Sequence, residues 1–317
     1  MLTWPKHVGT EEGIDNVRIV VTGATSMIGT ALINECIRNH CEVLAIVRNG
    51  TRRLDRLQKS DLICIEYADL DCLDCVNGNG KTWDVFYHFA WRHTNKNERD
   101  NPIAQEDNIK TTLQAVELAH RLGCKRFIGA GSQAEYGRIN GVISADTHAN
   151  PITAYGISKY AANMLSRRYC EQLGMKHIWG RIFSVYGIND NENTMLNYAI
   201  DQFIEGKAAE FSSATQMWNY LYETDAGMFF YLLGVKDVES GIYCIANSQS
   251  RVLREYIEEL QTAYGESAKC SFTRPSADVY SLQADIEKTI QATGYKPKTG
   301  FDEGIRKVIV ARRGRAR

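Results

Sequence analysis

The stretch Val17-Arg-Ile-Val-Val-Thr-Gly-Ala-Thr-Ser-Met-Ile-Gly29 decides how this chain is read. An apolar, β-branched run from Val17 to Val21 meets a tight turn at Thr22-Gly23, and Ala31-Leu-Ile-Asn-Glu-Cys-Ile37 then has helical spacing. A strand, a glycine turn and a helix start, in that order, make an anion site. Unpaired backbone N–H groups at the helix start point toward a bound pyrophosphate. The bland alternative is a plain strand-turn-helix connection, and motifs further along the chain weigh against it.

Apolar, β-rich runs recur at Val17–Thr22, Glu42–Val47, Leu62–Glu66, Val85–Phe89, Arg126–Gly131 and Lys176–Ile182. Segments with helical periodicity, such as Ile109–Leu122 and Ser158–Leu173, lie between most of them. Strands alternating with helices predict an α/β fold: a doubly wound, mainly parallel sheet of the Rossmann type, with ligands beyond the carboxyl ends of the strands. The nucleotide-binding unit is expected over 15–183, with later segments near 215–247 returning to it. After residue 183 the pattern loosens. Thr194–Lys207, Glu223–Leu233 and Leu253–Tyr264 read as helices, and Trp218–Tyr222, Gly241–Asn247 and Ser271–Arg274 as short strands. The segments 184–214 and 248–310 are expected to form mainly a smaller substrate-binding lobe.

A second motif carries chemistry. Tyr155-Gly-Ile-Ser-Lys159 follows Ser132 by 23 residues. Tyrosine and lysine four apart share one face of a helix. An ammonium near a phenol stabilises the phenolate, so the tyrosine can exchange a proton near neutral pH, and a serine hydroxyl can orient a carbonyl or alcohol oxygen. One such spacing is common in amphipathic helices; its value lies in its place downstream of the glycine loop.

Composition narrows the partners. The chain has 317 residues, 44% apolar, and a formal charge of −1, which provides no field for a nucleic acid or an anionic membrane. No apolar stretch approaches the roughly 20 residues of a transmembrane helix. Met1 to Asn16 is polar and mixed in charge and does not read as a signal peptide. Nine scattered cysteines suit a reducing cytoplasm. Cys72-Leu-Asp-Cys75 has redox or zinc spacing, but no second pair or nearby histidine completes a metal site, and none is expected. The basic end Ala311-Arg-Arg-Gly-Arg-Ala-Arg317 reads as a frayed, solvated tail.

Taken together, the chain resembles the extended short-chain dehydrogenase/reductase family that modifies nucleotide sugars, over about Val17 to Val308. Thr22 through Gly29 is similar to the family's nucleotide loop (Thr22, Gly23, Thr25, Ser26, Met27, Ile28, Gly29), with Ser26 in place of its middle glycine. Asp69 and Leu70 match a segment that meets adenine. Val85-Phe-Tyr-His-Phe-Ala90 matches the strand ending beside the pyrophosphate, which implies cofactor contacts for Phe89 and Ala90. Asn108 matches a family asparagine counted with the catalytic set of Ser132, Tyr155 and Lys159. Tyr155 and Lys159 would also hold the cofactor. His93, Gln133, Ser184, Trp218 and Arg274 are implied to line the substrate pocket, and Arg181 lies in a later family segment. The residues leave bland readings beside these: Asp69 a turn residue, Asn108 a helix cap, Arg181 and Arg274 surface ion pairs, and His88 a packed histidine.

The second strand ends at Arg48, where an acidic residue would accept bonds from both ribose hydroxyls of NAD. A guanidinium favours the extra phosphate of NADP(H), with NAD as the alternative. Sugar 4,6-dehydratases of the family carry Asp and Glu directly after the catalytic residue; here Gln133 and Ala134 stand there, which argues against a dehydratase. Trp218-Asn-Tyr replaces the Arg-Asp-Phe of many family epimerases, and Ser184 replaces a common asparagine. The resemblance therefore implies an NADPH-dependent 4-ketoreductase of nucleoside-diphosphate 4-keto-6-deoxyhexoses, of the CDP-abequose synthase type. A nucleotide-sugar 4-epimerase is the alternative, and a cofactor-binding sensor without catalysis the third reading. Relatives commonly pair through the helices near Asn108 and Tyr155, which implies a homodimer.

Overall fold

The computed structural model describes residues 17–95, 97–274 and 280–315. Its centre is one sheet of seven parallel strands, here numbered β1 Arg18–Thr22, β2 Glu42–Val47, β3 Ile63–Tyr67, β4 Val85–His88, β5 Arg126–Ser132, β6 Lys176–Ile182 and β7 Gly241–Ile245. Their spatial order is β7-β6-β5-β4-β1-β2-β3. Chain direction across the sheet reverses between β1 and β4, and such a switch point opens a crevice at the carboxyl ends. Register aligns those ends: Thr22 is level with Ile46 and His88, and Ser132 with Ile182.

Strand side chains alternate between two faces, and here both faces are dry. Ile19, Val21, Tyr87 and Ile128 point to one face, where helices α1 (Met27–Arg38) and α5 (Glu223–Val235) bring Leu32, Ile33, Phe229 and Phe230. Val20, Phe86 and Phe127 point to the other, against Ala115, Val116 and Leu118 of α2 (Pro102–Arg121) and Cys170 of α3 (Ala154–Gln172). The crossovers β2–β3 and β3–β4 carry only short 3-10 turns, such as Leu54–Arg56 and Leu73–Cys75, so helical alternation is incomplete at that edge.

Helix α2 begins seven residues before the expected Ile109. Asn101 accepts N–H bonds from Ile103 and Ala104 at 3.0 and 3.2 Å, and Pro102 opens the first turn. That start signal outweighs the polar run after it. The expected strand Trp218–Tyr222 is two short strands, Met217–Trp218 and Tyr220–Tyr222, the latter parallel to Ser184–Tyr186.

A second apolar cluster lies in the later part of the chain. It joins α4 (Met195–Ile204), α6 (Leu253–Tyr264) and α8 (Phe301–Arg315) around Tyr186, Tyr220, Tyr222, Tyr256 and Phe301. Helix α7 (Glu287–Thr293) adds Ile290 to the main core instead. The basic end is not frayed through Arg315: it continues α8, where Arg312 pairs with Asp201 and Arg313 donates to the Tyr264 carbonyl at 3.1 Å. Ala316 and Arg317 lie outside the described residues, as do Met1 to Asn16. Among the described residues no helix is long and apolar enough to cross a membrane, and no His, Cys, Asp or Glu cluster could hold a metal ion.

Candidate active site

The glycine loop is built by close backbone approach. Gly23 has φ +69°, and a Cβ there would sit 2.7 Å from the Ala90 nitrogen and 2.8 Å from the Phe89 carbonyl carbon. A Cβ on Gly29 would lie 2.3 Å from the Gly23 oxygen, so helix α1 rests directly on the turn. Ser26 occupies the middle position with φ −74°, which needs no glycine, and its hydroxyl accepts the Gly29 N–H at 3.0 Å as the helix cap. Met27 and Ile28, in the first turn, keep the N–H groups that a helix start leaves without an internal partner. Thr22 is buried; its hydroxyl meets His88 Nδ1 at 2.9 Å. Burial pushes His88 down to about 3, so it is a neutral, packed histidine.

Strand β5 ends in Ser132, and a 3-10 turn, Gln133–Tyr136, follows at once. Glu135 folds back so that its carboxylate accepts the Ser132 N–H at 2.8 Å and the Trp179 indole N–H at 2.9 Å. Arg181 Nε donates to the same carboxylate at 2.8 Å, and both partners are buried. Arg181 is thus neither a surface ion pair nor a group facing the cavity; it holds the turn that fixes Ser132.

Thr153 caps α3 and accepts the Gly156 N–H at 3.1 Å, which sets the helix phase so that Tyr155 and Lys159 face Ser132. Burial raises the Tyr155 phenol above its ordinary value, while the Arg99 charge and hydrogen bonding with Ser132 pull against it. Lys159 is buried; its Nζ donates to the Ala130 carbonyl at 2.7 Å and lies 3.5 Å from the centre of a Trp91 ring. Burial pushes Lys159 down to about 7.

These groups share a cavity of about 530 Å³. One wall is the glycine loop through Ser26, Met27 and Ile28, then Phe89, Trp91 and Arg99, then Ser132, Gln133, Tyr155 and Lys159. The opposite wall comes from beyond β6: Ser184, Asp190, Thr194, Met195, Trp218 and Tyr220. Arg53 and Arg56 close the side next to the loop, and Arg56 reaches the Asn189 carbonyl at 3.1 Å.

Other expected site residues stand elsewhere. Asn108 is buried in mid-helix, so it is no cap, and it does not line the cavity. It accepts the Arg92 N–H at 2.7 Å and donates to the Arg92 carbonyl at 3.1 Å, clamping the segment after β4. His93 turns away: its Nδ1 meets Glu98 at 3.2 Å and it is absent from the lining. Arg274 is exposed and does not line the cavity; residues 275–279 beside it lie outside the described residues. Arg48 is exposed just past β2 and does not reach the cavity wall. Asp69 is half-buried, 3.4 Å from the Asn49 amide; Leu70 packs at the edge of the apolar core; Thr25 offers its carbonyl to Arg56 at 3.5 Å; and Ala90 lies against Gly23. Trp91, Arg99 and Arg56 were not expected. Their signal is three-dimensional, since each reaches the cavity from a turn without a motif of its own.

A doubly wound sheet with a cradle that a Cβ would fill, beside a Ser-Tyr-Lys wall, defines a nucleotide-dependent oxidoreductase fold, and the residues present fit a nicotinamide dinucleotide. The chain belongs to the NAD dependent epimerase/dehydratase family, which it matches over residues 19–246. It is 24% identical over 264 residues to a UDP-glucuronate 4-epimerase of Thermodesulfobacterium geofontis, covering 81% of each chain. Among solved structures it superposes on a UDP-glucose 4-epimerase with UDP-glucose from Thermotoga maritima at a TM-score of 0.84 and 18% identity, covering 95% of this chain and 100% of that one. It superposes on a UDP-glucuronic acid 4-epimerase from Bacillus cereus in complex with NAD at 0.79 and 20%, covering 94% and 97%. At these identities the solved structures share the fold.

Proposed function

We propose that this chain is a nucleotide-sugar 4-epimerase working with a nicotinamide cofactor. The observation that carries the reading is the single cavity onto which the glycine loop, Ser132, Tyr155 and Lys159 all open. The names of the relatives support 4-epimerisation better than the ketoreduction implied by the sequence. Neither Gln133 nor Ala134, directly after Ser132, can exchange a proton usefully, which speaks against elimination of water.

The glycine loop with Met27 and Ile28 would hold the pyrophosphate, and Lys159 the nicotinamide ribose. Bound there, the nicotinamide supplies reversible redox chemistry at a sugar carbon. Tyr155 moves the proton at its phenol oxygen to and from the sugar hydroxyl. Ser132 bonds the same sugar oxygen and stabilises the charge that develops on it. Trp218, Ser184 and Tyr220 form the wall against which the sugar turns, and Gln133 is placed to meet its hydroxyls.

A second reading, 4-ketoreduction with NADPH, rests on a specific observation: Arg53 and Arg56 line the cavity beside the loop, and Arg52 joins them in the adjoining pocket. Guanidinium groups there suit the additional phosphate of NADP. One experiment separates the two. UDP-glucose, UDP-glucuronic acid and UDP-N-acetylglucosamine are incubated with NAD and products are followed by NMR, while 4-keto-6-deoxy sugar nucleotides are offered with NADPH. Exchange of C4 isomers without net cofactor consumption supports the epimerase. Stoichiometric NADPH oxidation supports the reductase, and turnover of neither kind rejects both.

Exposed Ile103 on α2 and Ile157 and Leu165 on α3 support a homodimer through those helices. Nine free cysteines support a reducing, cytoplasmic setting.

A further inference from the structure

The wall from beyond β6 holds one ionisable group that the proposed chemistry leaves unused. Asp190 lines the cavity on the side facing Ser132 and Tyr155, and it shares that wall with Thr194, Trp218 and Tyr220. Its carboxylate accepts the Asn191 N–H at 2.7 Å. The groups facing it come from four elements. Thr194 stands at the start of α4, Tyr220 on the strand Tyr220–Tyr222, Glu223 at the start of α5 and Arg312 on α8. Arg312 is the cation among them, and Asp201 already takes two of its N–H groups. The same wall keeps two buried polar atoms without a hydrogen-bond partner among the described residues, the Trp218 indole nitrogen and the Thr194 hydroxyl oxygen. Leaving such atoms unpaired is costly, and a donor, a hydroxyl and a carboxylate together match the hydroxyl groups of a sugar.

We propose that Asp190 is a specificity-determining residue: this chain takes nucleotide sugars uncharged at C6 and rejects those that carry a carboxylate there. C6 is two bonds from C4, so in a sugar held at C4 by Tyr155 and Ser132 it lies within reach of the facing wall. A hydroxyl at C6 donates to the Asp190 carboxylate. A second carboxylate meets like charge instead, and the cavity's cations, Arg53, Arg56, Arg99 and Lys159, stand on the other wall. Discrimination of this kind works by repelling the wrong ligand more than by gripping the right one.

This inference rests on the reading of the cavity as a nucleotide-sugar site, and it holds for epimerase and reductase alike. The full chain, with NAD present, is titrated by calorimetry with UDP-glucose and with UDP-glucuronic acid at about pH 7.5 and about pH 5, values between which neither ligand changes charge. Burial pushes Asp190 up to about 6, so its carboxyl is charged at the higher pH and protonated at the lower. At the higher pH UDP-glucuronic acid binds about tenfold or more weakly than UDP-glucose, the scale of one uncompensated like charge. At the lower pH the gap narrows to about threefold or less. Asp190→Asn narrows it likewise at the higher pH and removes its dependence on pH. Melting curves show whether the variant folds, and the pH comparison, which needs no substitution, decides the matter if it does not. Three results overturn the proposal: equal binding of the two ligands at the higher pH, a gap that acid leaves unchanged, or a gap that survives in a folded Asp190→Asn. Each of these leaves the proposed function standing. Binding with the predicted gap but no turnover of either sugar rejects the proposed function and upholds the role of Asp190, and binding of neither ligand overturns both.

Discussion

The two walls of the cavity differ in origin and in charge. The wall from the parallel sheet carries the cations, Arg53, Arg56, Arg99 and Lys159, and its groups sit on strand ends, helix starts and the turns packed on them. The wall from beyond β6 has no cation among its described lining residues and presents Ser184, Thr194, Trp218 and Tyr220 around one carboxyl, Asp190. Its backing is the aromatic cluster of Tyr186, Tyr220, Tyr256 and Phe301, with ring centres 4.8 to 5.6 Å apart for the contacts among them. On the proposed function, one wall moves a proton at a fixed point and the other grips the ligand by shape. Substitutions on the first should therefore change turnover, and substitutions on the second should change affinity and specificity.

The largest effect is expected at Tyr155. Tyr155→Phe should lower kcat by about 10²–10⁴ with cofactor binding intact, the usual range for loss of a positioned acid–base group. Rapid-quench turnover and a parallel cofactor titration check both halves. Next is Gly29→Ala, whose new Cβ would press on the Gly23 oxygen. It should weaken dinucleotide binding by about tenfold or more and destabilise the chain by about 1–3 kcal/mol, read by calorimetry and thermal melts. Trp218→Ala, on the opposite wall, should raise KM about tenfold with kcat nearly unchanged, the signature of lost uniform binding. An equal fall in kcat would erase the proposed division of labour.

The smallest effect concerns pH. Burial raises Asp190 from 3.8 to about 6, against the hydrogen bond from the Asn191 N–H. Between those two values the folded chain holds a proton that the unfolded chain has released, so stability falls as pH rises through that window. Asp190→Asn removes the fall. It should be more stable than the unsubstituted chain by about 1 kcal/mol near neutral pH, after allowance for screening at a half-buried site, and no more stable near pH 4. Denaturant melts at the two pH values read it directly.

The same contrast explains what could be read in advance. Thr22 to Gly29 and the pair Tyr155 and Lys159 are local patterns, in which spacing along the chain sets position in space, and they were legible. Six strands of the main sheet were legible for the same reason, β1, β2, β4 and β5 as runs buried on both faces and β3, at the sheet edge, as a partly exposed one. Arg181 was not, because its partner Glu135 lies 46 residues earlier and the pairing exists only after β5 and β6 align. Arg99 and Trp91 reach the site through a turn whose shape is set by Asn108 and Asp100, neither of which forms a motif with them. His93 and Arg274 were implied to line the pocket by the resemblance; the fold turns His93 to Glu98, and Arg274 is exposed and outside the lining. In the later cluster, side chains from three helices and several three- to four-residue strands meet, and no periodicity of that length identifies the element to which a residue belongs.

The central claim is reversible redox chemistry at C4 within one closed site, with Tyr155 moving the proton. The most direct test uses a UDP-sugar carrying deuterium at C4, incubated in ordinary water with the cofactor-loaded protein. The account predicts inversion at C4 with the deuterium retained there, and loss of the reaction in Tyr155→Phe. Label washed into water, or inversion that persists in Tyr155→Phe, would contradict it.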